Sequence, residues 1–199
     1  MKRKGPPFPY FGMRRVFATV VLMLLCVCIV WLSVMMPRFS STSKKSDQFD
    51  DIIIAAAKRH SLDPMLIKAV IWQESRFDPA ARGDQGEIGL MQVRRPAVLD
   101  WAANINCDEP CVGIVFNPLV NIEIGSWYLA NAKSYWDRYA HKDELALSTY
   151  NAGLKPAQKW VPFKTEDNVL ERITYPGTRR YVASIMSKYS EYKKEQESR

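Results

Sequence analysis

Three short strings of chemically capable residues follow one another along this chain: Glu74-Ser75, Gly89-Leu90-Met91-Gln92 and Tyr150-Asn151-Ala152-Gly153. Glu74 comes seven positions after Ile67 and four after Val70, so helical spacing sets its carboxyl on the same stripe that the helix buries. Burial without a cationic partner favours the protonated form of a carboxyl group. That is the condition a general acid needs if it is to release a proton near neutral pH. Position alone favours a plainer reading, a glutamate at a helix end facing water. The order and spacing of the other two strings reverse that preference.

Helices are the elements that must position these groups. Phe49, Ile52, Ile53, Ala56, Ala57 and His60 recur at helical spacing, with Asp47 as the expected cap. Asp63-Pro64 reads as a cap followed by the residue best tolerated at the first helical position, and the helix it opens carries Leu66, Ile67, Val70, Ile71 and Glu74. Ile122, Gly125, Leu129, Ala132, Trp136 and Tyr139 predict a further long helix. Asp143 to Ala152 predicts a shorter one that stops at Gly153. The last runs from Thr178 to Tyr192, with Val182, Ile185 and Tyr189 on one face. Strand alternation is scarce, with room for a short hairpin between Arg82 and Glu87. The fold class is therefore mainly α, and residues 47–192 are of a size suited to one domain with a proper core.

Upstream, residues 16–36 carry no charge over 21 positions, about the length a helix needs to span a bilayer. Lys2, Arg3, Lys4, Arg14 and Arg15 precede this run with no acidic residue among them, which holds that end in the cytoplasm. The expected organisation is a basic tail (1–15), a transmembrane signal-anchor (16–36), a polar tether (37–46), the domain (47–192) and a charged tail (193–199). A cleaved signal peptide is the rival, disfavoured by the length of the run and by the poor site at Val34-Met35-Met36-Pro37. Taking those five basic residues from the net charge of +7 leaves +2 on the remainder. A nucleic-acid domain concentrates its basic residues on the folded surface, so no nucleic-acid partner is expected.

Two of the four cysteines lie within the apolar run. Cys107 and Cys111 are expected to form a small disulfide loop in an oxidising compartment, ahead of a metal site or free thiols. His60 and His141 lack ligand spacing relative to them, so neither a metal nor a cofactor is expected.

Gln73-Glu74-Ser75-Arg76-Phe77-Asp78-Pro79, Gly86-Glu87-Ile88-Gly89-Leu90-Met91-Gln92 and Leu147-Ser148-Thr149-Tyr150-Asn151-Ala152-Gly153 together resemble the catalytic domain of lytic transglycosylases of the soluble type. The resemblance covers about residues 49–189. It implies a lysozyme-like helical fold, with peptidoglycan glycan strands as partner and the β-1,4 bond from N-acetylmuramic acid to N-acetylglucosamine as the point of cleavage. It also implies Glu74 as the sole catalytic acid/base, first protonating the leaving oxygen and then taking the proton of the muramoyl C6 hydroxyl as a 1,6-anhydro ring closes. Ordinary glycosidases use two carboxylates, and Asp78, Asp84 and Glu87 read as turn or surface residues off the stripe of Glu74.

The resemblance further implies substrate contacts. Ser75 would sit near the acetamido group or orient Glu74, Met91 would give an adaptable apolar wall, and Gln92 an amide for sugar hydroxyls. Tyr150 would stack on a sugar face and Asn151 hold a hydroxyl. Thr178-Arg179-Arg180-Tyr181-Val182 resembles a late family segment, in which the Tyr181 hydroxyl would reach Glu74. Each motif also has a plain structural reading as a turn, a helix stop or an exposed helix end.

Ser148-Thr149 stand where the family commonly has Ala-Ala, and Leu154-Lys155-Pro156 follow Gly153 where the family has a second glycine soon after. Residues 97–115 match no family pattern. Among Trp72, Trp101, Trp127, Trp136 and Trp160, most are expected in the core, with Trp101 and Trp160 the better groove candidates. The expected location is the bacterial inner membrane with the domain in the periplasm, and cell-wall or secretion machinery as a further partner. A hydrolytic muramidase and a noncatalytic wall-binding or secretion-assembly protein are the rival functions.

Overall fold

The computed structural model describes residues 45–106, 112–163 and 168–198. The apolar run 16–36 and the Cys107–Cys111 pair lie outside the described residues. In chain order come α1 (Asp50–His60), α2 (Pro64–Ser75), α3 (Arg95–Asn104), a 3-10 turn (Val112–Phe116), α4 (Pro118–Tyr135), α5 (Lys142–Ala152), α6 (Leu154–Gln158), α7 (Val169–Arg172) and α8 (Pro176–Glu197).

The strongest start signal acts as expected: Asp63 Oδ1 accepts the Met65 N–H at 2.8 Å, ahead of Pro64. Asn117-Pro118 repeats the device at the head of α4, where the Asn117 side chain accepts the Leu119 N–H at 2.9 Å. These caps occupy backbone donors that a helix start leaves without partners. Asp47 does something else. Phe49 holds the cap position of α1, and Asp47 instead joins Asp50 around the Lys68 ammonium, at 3.0 and 2.6 Å.

That ion cluster reflects where α2 lies. Leu66, Ile67, Lys68, Ala69, Val70 and Ile71 are all buried, so the helix is enclosed on every side rather than striped. It packs against α1 and most extensively against α8, and a helix apolar all round belongs in a core. α4 ends one residue before Trp136, which caps it and is buried at 1% exposure. Tyr139 falls beyond the helix, on an exposed turn.

Between α2 and α3 the chain folds back in a compact loop rather than a regular hairpin. Isolated antiparallel bridges join Arg82 to Ile88 and Ile88 to Val93, and no strand ladder forms among the described residues. α8 is longer at both ends than its apolar face predicts. Among the described residues no helix is long and apolar enough to cross a membrane.

Candidate active site

Glu74 is the penultimate residue of α2, at the end where the backbone dipole is negative. Burial, together with the nearby charge of Glu87, lifts its pKa from the ordinary 4.5 to about 7, against a hydrogen bond from Tyr181 that pulls the other way. The helix terminus works in the same direction as burial, because carbonyl ends disfavour a neighbouring anion. Tyr181 Oη donates to Glu74 Oε1 at 2.6 Å from α8. Both Tyr150 and Tyr181 are held well above the ordinary tyrosine range, by burial first and the charge of Glu74 second. Both phenols therefore stay protonated, and both lie within electrostatic reach of the same carboxyl.

The chain leaves α2 through a conformation that side chains rarely adopt. Arg76 and Phe77 have φ of 53° and 61°, a left-handed geometry costly for bulky residues. Phe77 pays for it in the core at 4% exposure. The turn sends the chain away from α2 directly beyond Glu74 and leaves the Arg76 guanidinium over the Trp72 ring, 3.5 Å from its centre.

Gly89 to Gln92 is anchored from beneath by Asn121, a fully buried residue of α4. Its Oδ1 accepts the Met91 N–H at 2.8 Å, and its Nδ2 donates to the Ile88 and Val115 carbonyls at 2.8 and 2.9 Å. Gly89 has φ +76°, and a Cβ there would strike the Asn121 amide, so the position excludes any side chain on two grounds. Asn121 is a residue that sequence reasoning missed. Its trace was a lone amide inside the apolar run Leu119-Val120-Asn121-Ile122.

The loop corrects two expected roles. Met91 is not an exposed wall: its side chain is fully buried, packed so closely on Gly125 that a Cβ there would lie 2.5 Å from the sulfur. Its contribution is a carbonyl, which accepts the Tyr150 hydroxyl at 2.8 Å. Ser75 does not point its hydroxyl at the Glu74 carboxyl. It donates to the Leu90 and Ile71 carbonyls, at 2.8 and 3.2 Å, and so ties the end of α2 to the loop. The reason is the same for both: the loop lies against the helix ends, so the shortest polar partners are backbone carbonyls.

Gln92 and Asn151 both reach a cleft. Gln92 Nε2 donates to the Gly89 carbonyl at 2.8 Å, and Asn151 accepts from Thr178 Oγ1 at 2.7 Å. A cavity of about 280 Å³ is lined by Gln92, Tyr128, Tyr150 and Asn151, with Arg94 and Thr149 at its sides. Tyr128, which meets Tyr150 edge to face at 5.6 Å, was not foreseen. A second cavity of about 590 Å³ shares Asn151 and takes Gln73 and Tyr181 into its lining. Glu74 itself lines neither cavity: its carboxyl bonds Tyr181, which lines the second, and acts electrostatically on Tyr150, which lines the first.

Tryptophans play little part in this cleft. Trp136 is in the core, its indole N–H donating to Thr149 Oγ1 at 2.8 Å, which gives the departure at Thr149 a structural reason. Trp160 was expected in a groove but is buried at 2% exposure, bonded to Thr174; its neighbour Tyr175 takes the exposed place. Trp101 is half-buried against the core and lines neither cavity. His60 and His141 pair with Glu123 and Glu144 at 2.8 and 3.4 Å.

A mainly helical domain that buries one carboxyl of raised pKa behind a tyrosine lining a cleft is the class that fold and site define. Residues 51–169 match the family described as the transglycosylase SLT domain, and the chain belongs to that family. It is 36% identical over 109 residues to a membrane-bound lytic murein transglycosylase F of Desulfosudis oleivorans, covering 53% of this chain and 22% of the relative. It is 33% identical over 118 residues to a membrane-bound lytic murein transglycosylase C of Actinobacillus pleuropneumoniae, covering 55% and 32%. The chain thus spans about a fifth to a third of these relatives. In fold it is similar to a lytic transglycosylase Slt of Pseudomonas aeruginosa, with TM-score 0.65 and 23% identity over 83% of this chain and 26% of that one.

Proposed function

We propose that this protein is a membrane-anchored lytic transglycosylase of the bacterial periplasm that cleaves the muramoyl-β-1,4-glucosaminyl bond of peptidoglycan and leaves a 1,6-anhydromuramoyl end. The observation that carries the reading is Glu74, whose pKa of about 7 lets one group give a proton and take one back at neutral pH. The protonated carboxyl delivers its proton to the bridging oxygen as the bond from C1 breaks. The resulting carboxylate, steadied by the Tyr181 hydroxyl, accepts the proton of the C6 hydroxyl while that oxygen closes on C1. Glu74 ends as it began, and no water is consumed. Gln92, Tyr150 and Asn151 hold the glycan, while Ser75 and the Met91 carbonyl fix the loop and the Tyr150 ring. The apolar run 16–36 supports the anchor, as do relatives named membrane-bound.

One observation favours a hydrolytic muramidase instead. Glu87 lies close enough to raise the pKa of Glu74, and a second carboxylate could activate water. Its Oε2, however, accepts the Gln85 N–H at 2.9 Å, and its Oε1 lies 3.9 Å from Arg94 Nε. Mass analysis of fragments released from purified peptidoglycan separates the two: anhydro ends, each lighter by one water, support the proposal, and reducing ends carrying solvent oxygen overturn it.

A further inference from the structure

The larger cavity has a chemical character that bond cleavage at Glu74 does not call for. Its lining brings together Arg76 from the turn after α2 and Arg180 from α8, along with Gln73, Ser184 and Tyr175, and includes no carboxylate. Gln73 and Ser184 satisfy each other at 2.8 Å across the α2–α8 contact, which leaves the two guanidinium groups as the charged features of the cavity. The Arg76 guanidinium is fixed by its stack on Trp72 and its bond to the Trp72 carbonyl at 2.6 Å. It is therefore preorganised, and its charge is not cancelled.

Arg180 contrasts with its neighbour Arg179. Arg179 is committed to the fold, with Nε and Nη2 both donating to the Ile173 carbonyl at 2.9 and 2.6 Å. Arg180 has no hydrogen bond or ion pair to any described residue, and it stands in the second turn of α8 with no carboxylate in the cavity beside it. Nothing in the local fold rewards a cation at that position. An anion arriving in the cavity would.

We propose that this cavity is a subsite for the carboxylates of the peptide that peptidoglycan carries on its muramoyl lactyl group, with Arg180 as the specificity-determining residue and Arg76 as a fixed second cation. This rests on the reading of Glu74 as the acid that cuts beside a muramoyl residue, since it is that residue that bears the peptide. Arg–carboxylate pairs are charge-assisted and often two-pronged. Arg76 and Arg180 are both exposed, so such a pair is worth the low end of a charge-assisted bond, about a tenfold preference for a ligand that carries the charge.

The test measures binding without turnover, using full-length protein carrying Glu74→Gln. Its ligands are a glucosaminyl-muramoyl tetrapeptide fragment and the same fragment with its peptide carboxylates converted to amides, their binding followed by calorimetry. The carboxylate form is expected to bind about tenfold more tightly; adding Arg180→Gln should abolish that preference, and Arg180→Lys should keep most of it. Equal affinity for the two ligands, or a preference that survives Arg180→Gln, overturns the proposal. Cleavage by the unaltered protein is assayed separately. Absence of cleavage with the binding preference intact would refute the reaction and leave the anion subsite standing.

Discussion

Replacing Glu74 by glutamine should make the protein more stable at neutral pH while it ends the reaction. In the folded chain the carboxyl titrates at about 7 instead of 4.5, so folding holds its proton more tightly than the unfolded chain does. Below pH 4.5 both states are protonated and the group costs nothing. Between 4.5 and 7 the unfolded chain ionises first, and wild-type stability falls as pH rises. The full gap, at about 1.4 kcal/mol per unit, is about 3 kcal/mol; partial exposure at the cleft trims this to about 2–3 kcal/mol. Glutamine is neutral throughout and keeps an oxygen for the Tyr181 hydroxyl, so it escapes the penalty. Urea denaturation of both proteins from pH 4 to pH 8 should show curves that coincide at the acid end and separate by that amount at the alkaline end. A constant difference across the range would refute the claim that burial in the cleft perturbs this carboxyl, and with it the physical basis for its role as an acid.

Four further outcomes follow from the same geometry. Glycan cleavage should decline as pH rises through about 7, because the starting form of Glu74 carries the proton; a rate flat to pH 9 would contradict this. Tyr181→Phe removes the bond that lowers that pKa, so the alkaline limb of the pH–rate profile should move upward, an effect that a merely weakened fold would not produce. Asn121→Leu strands the Met91 N–H, removes the Asn121 amide from the Val115 carbonyl and leaves the Ile88 carbonyl with the Val93 N–H alone. It should cost about 3 kcal/mol or more in denaturation experiments and disorder the loop that carries Gln92. Asp63→Ala deletes the cap of α2 together with its contacts to Tyr189 and Lys193, at 2.9 and 3.2 Å, and should cost about 1–2 kcal/mol; no change in the unfolding midpoint would refute the cap's contribution.

How legible the site was depended on whether a residue acts through its side chain or through its backbone. Glu74, Gln92, Tyr150 and Asn151 were identified by residue type at a motif position; the last three line the clefts, and Glu74 bonds a tyrosine that does. Met91 and Ser75 were assigned side-chain roles because the sequence displays side chains. In the folded chain one offers a carbonyl and the other ties two segments of backbone together. Trp160 misled for a related reason: following a loop in sequence says nothing about which neighbours cover a ring, and Thr174 and Tyr175, just before α8, meet this one.

The sequence by itself determined α1, α2, α4, α5 and α8, through apolar spacing and the Asp63-Pro64 start, because these signals act within a few residues of one another; α3, α6 and α7 carried no such signal and were not foreseen. It also determined which family's motifs the chain carries. Only the tertiary structure decided how acidic Glu74 is, since that depends on Tyr181, distant in sequence, and on the burial that α8 supplies. The same holds for Asn121 beneath the loop and for the pairing of Arg76 with Arg180 around one cavity. Electrostatic environment and hydrogen-bond closure are properties of distances between segments, and those distances exist only once α2, α4, α5 and α8 have packed.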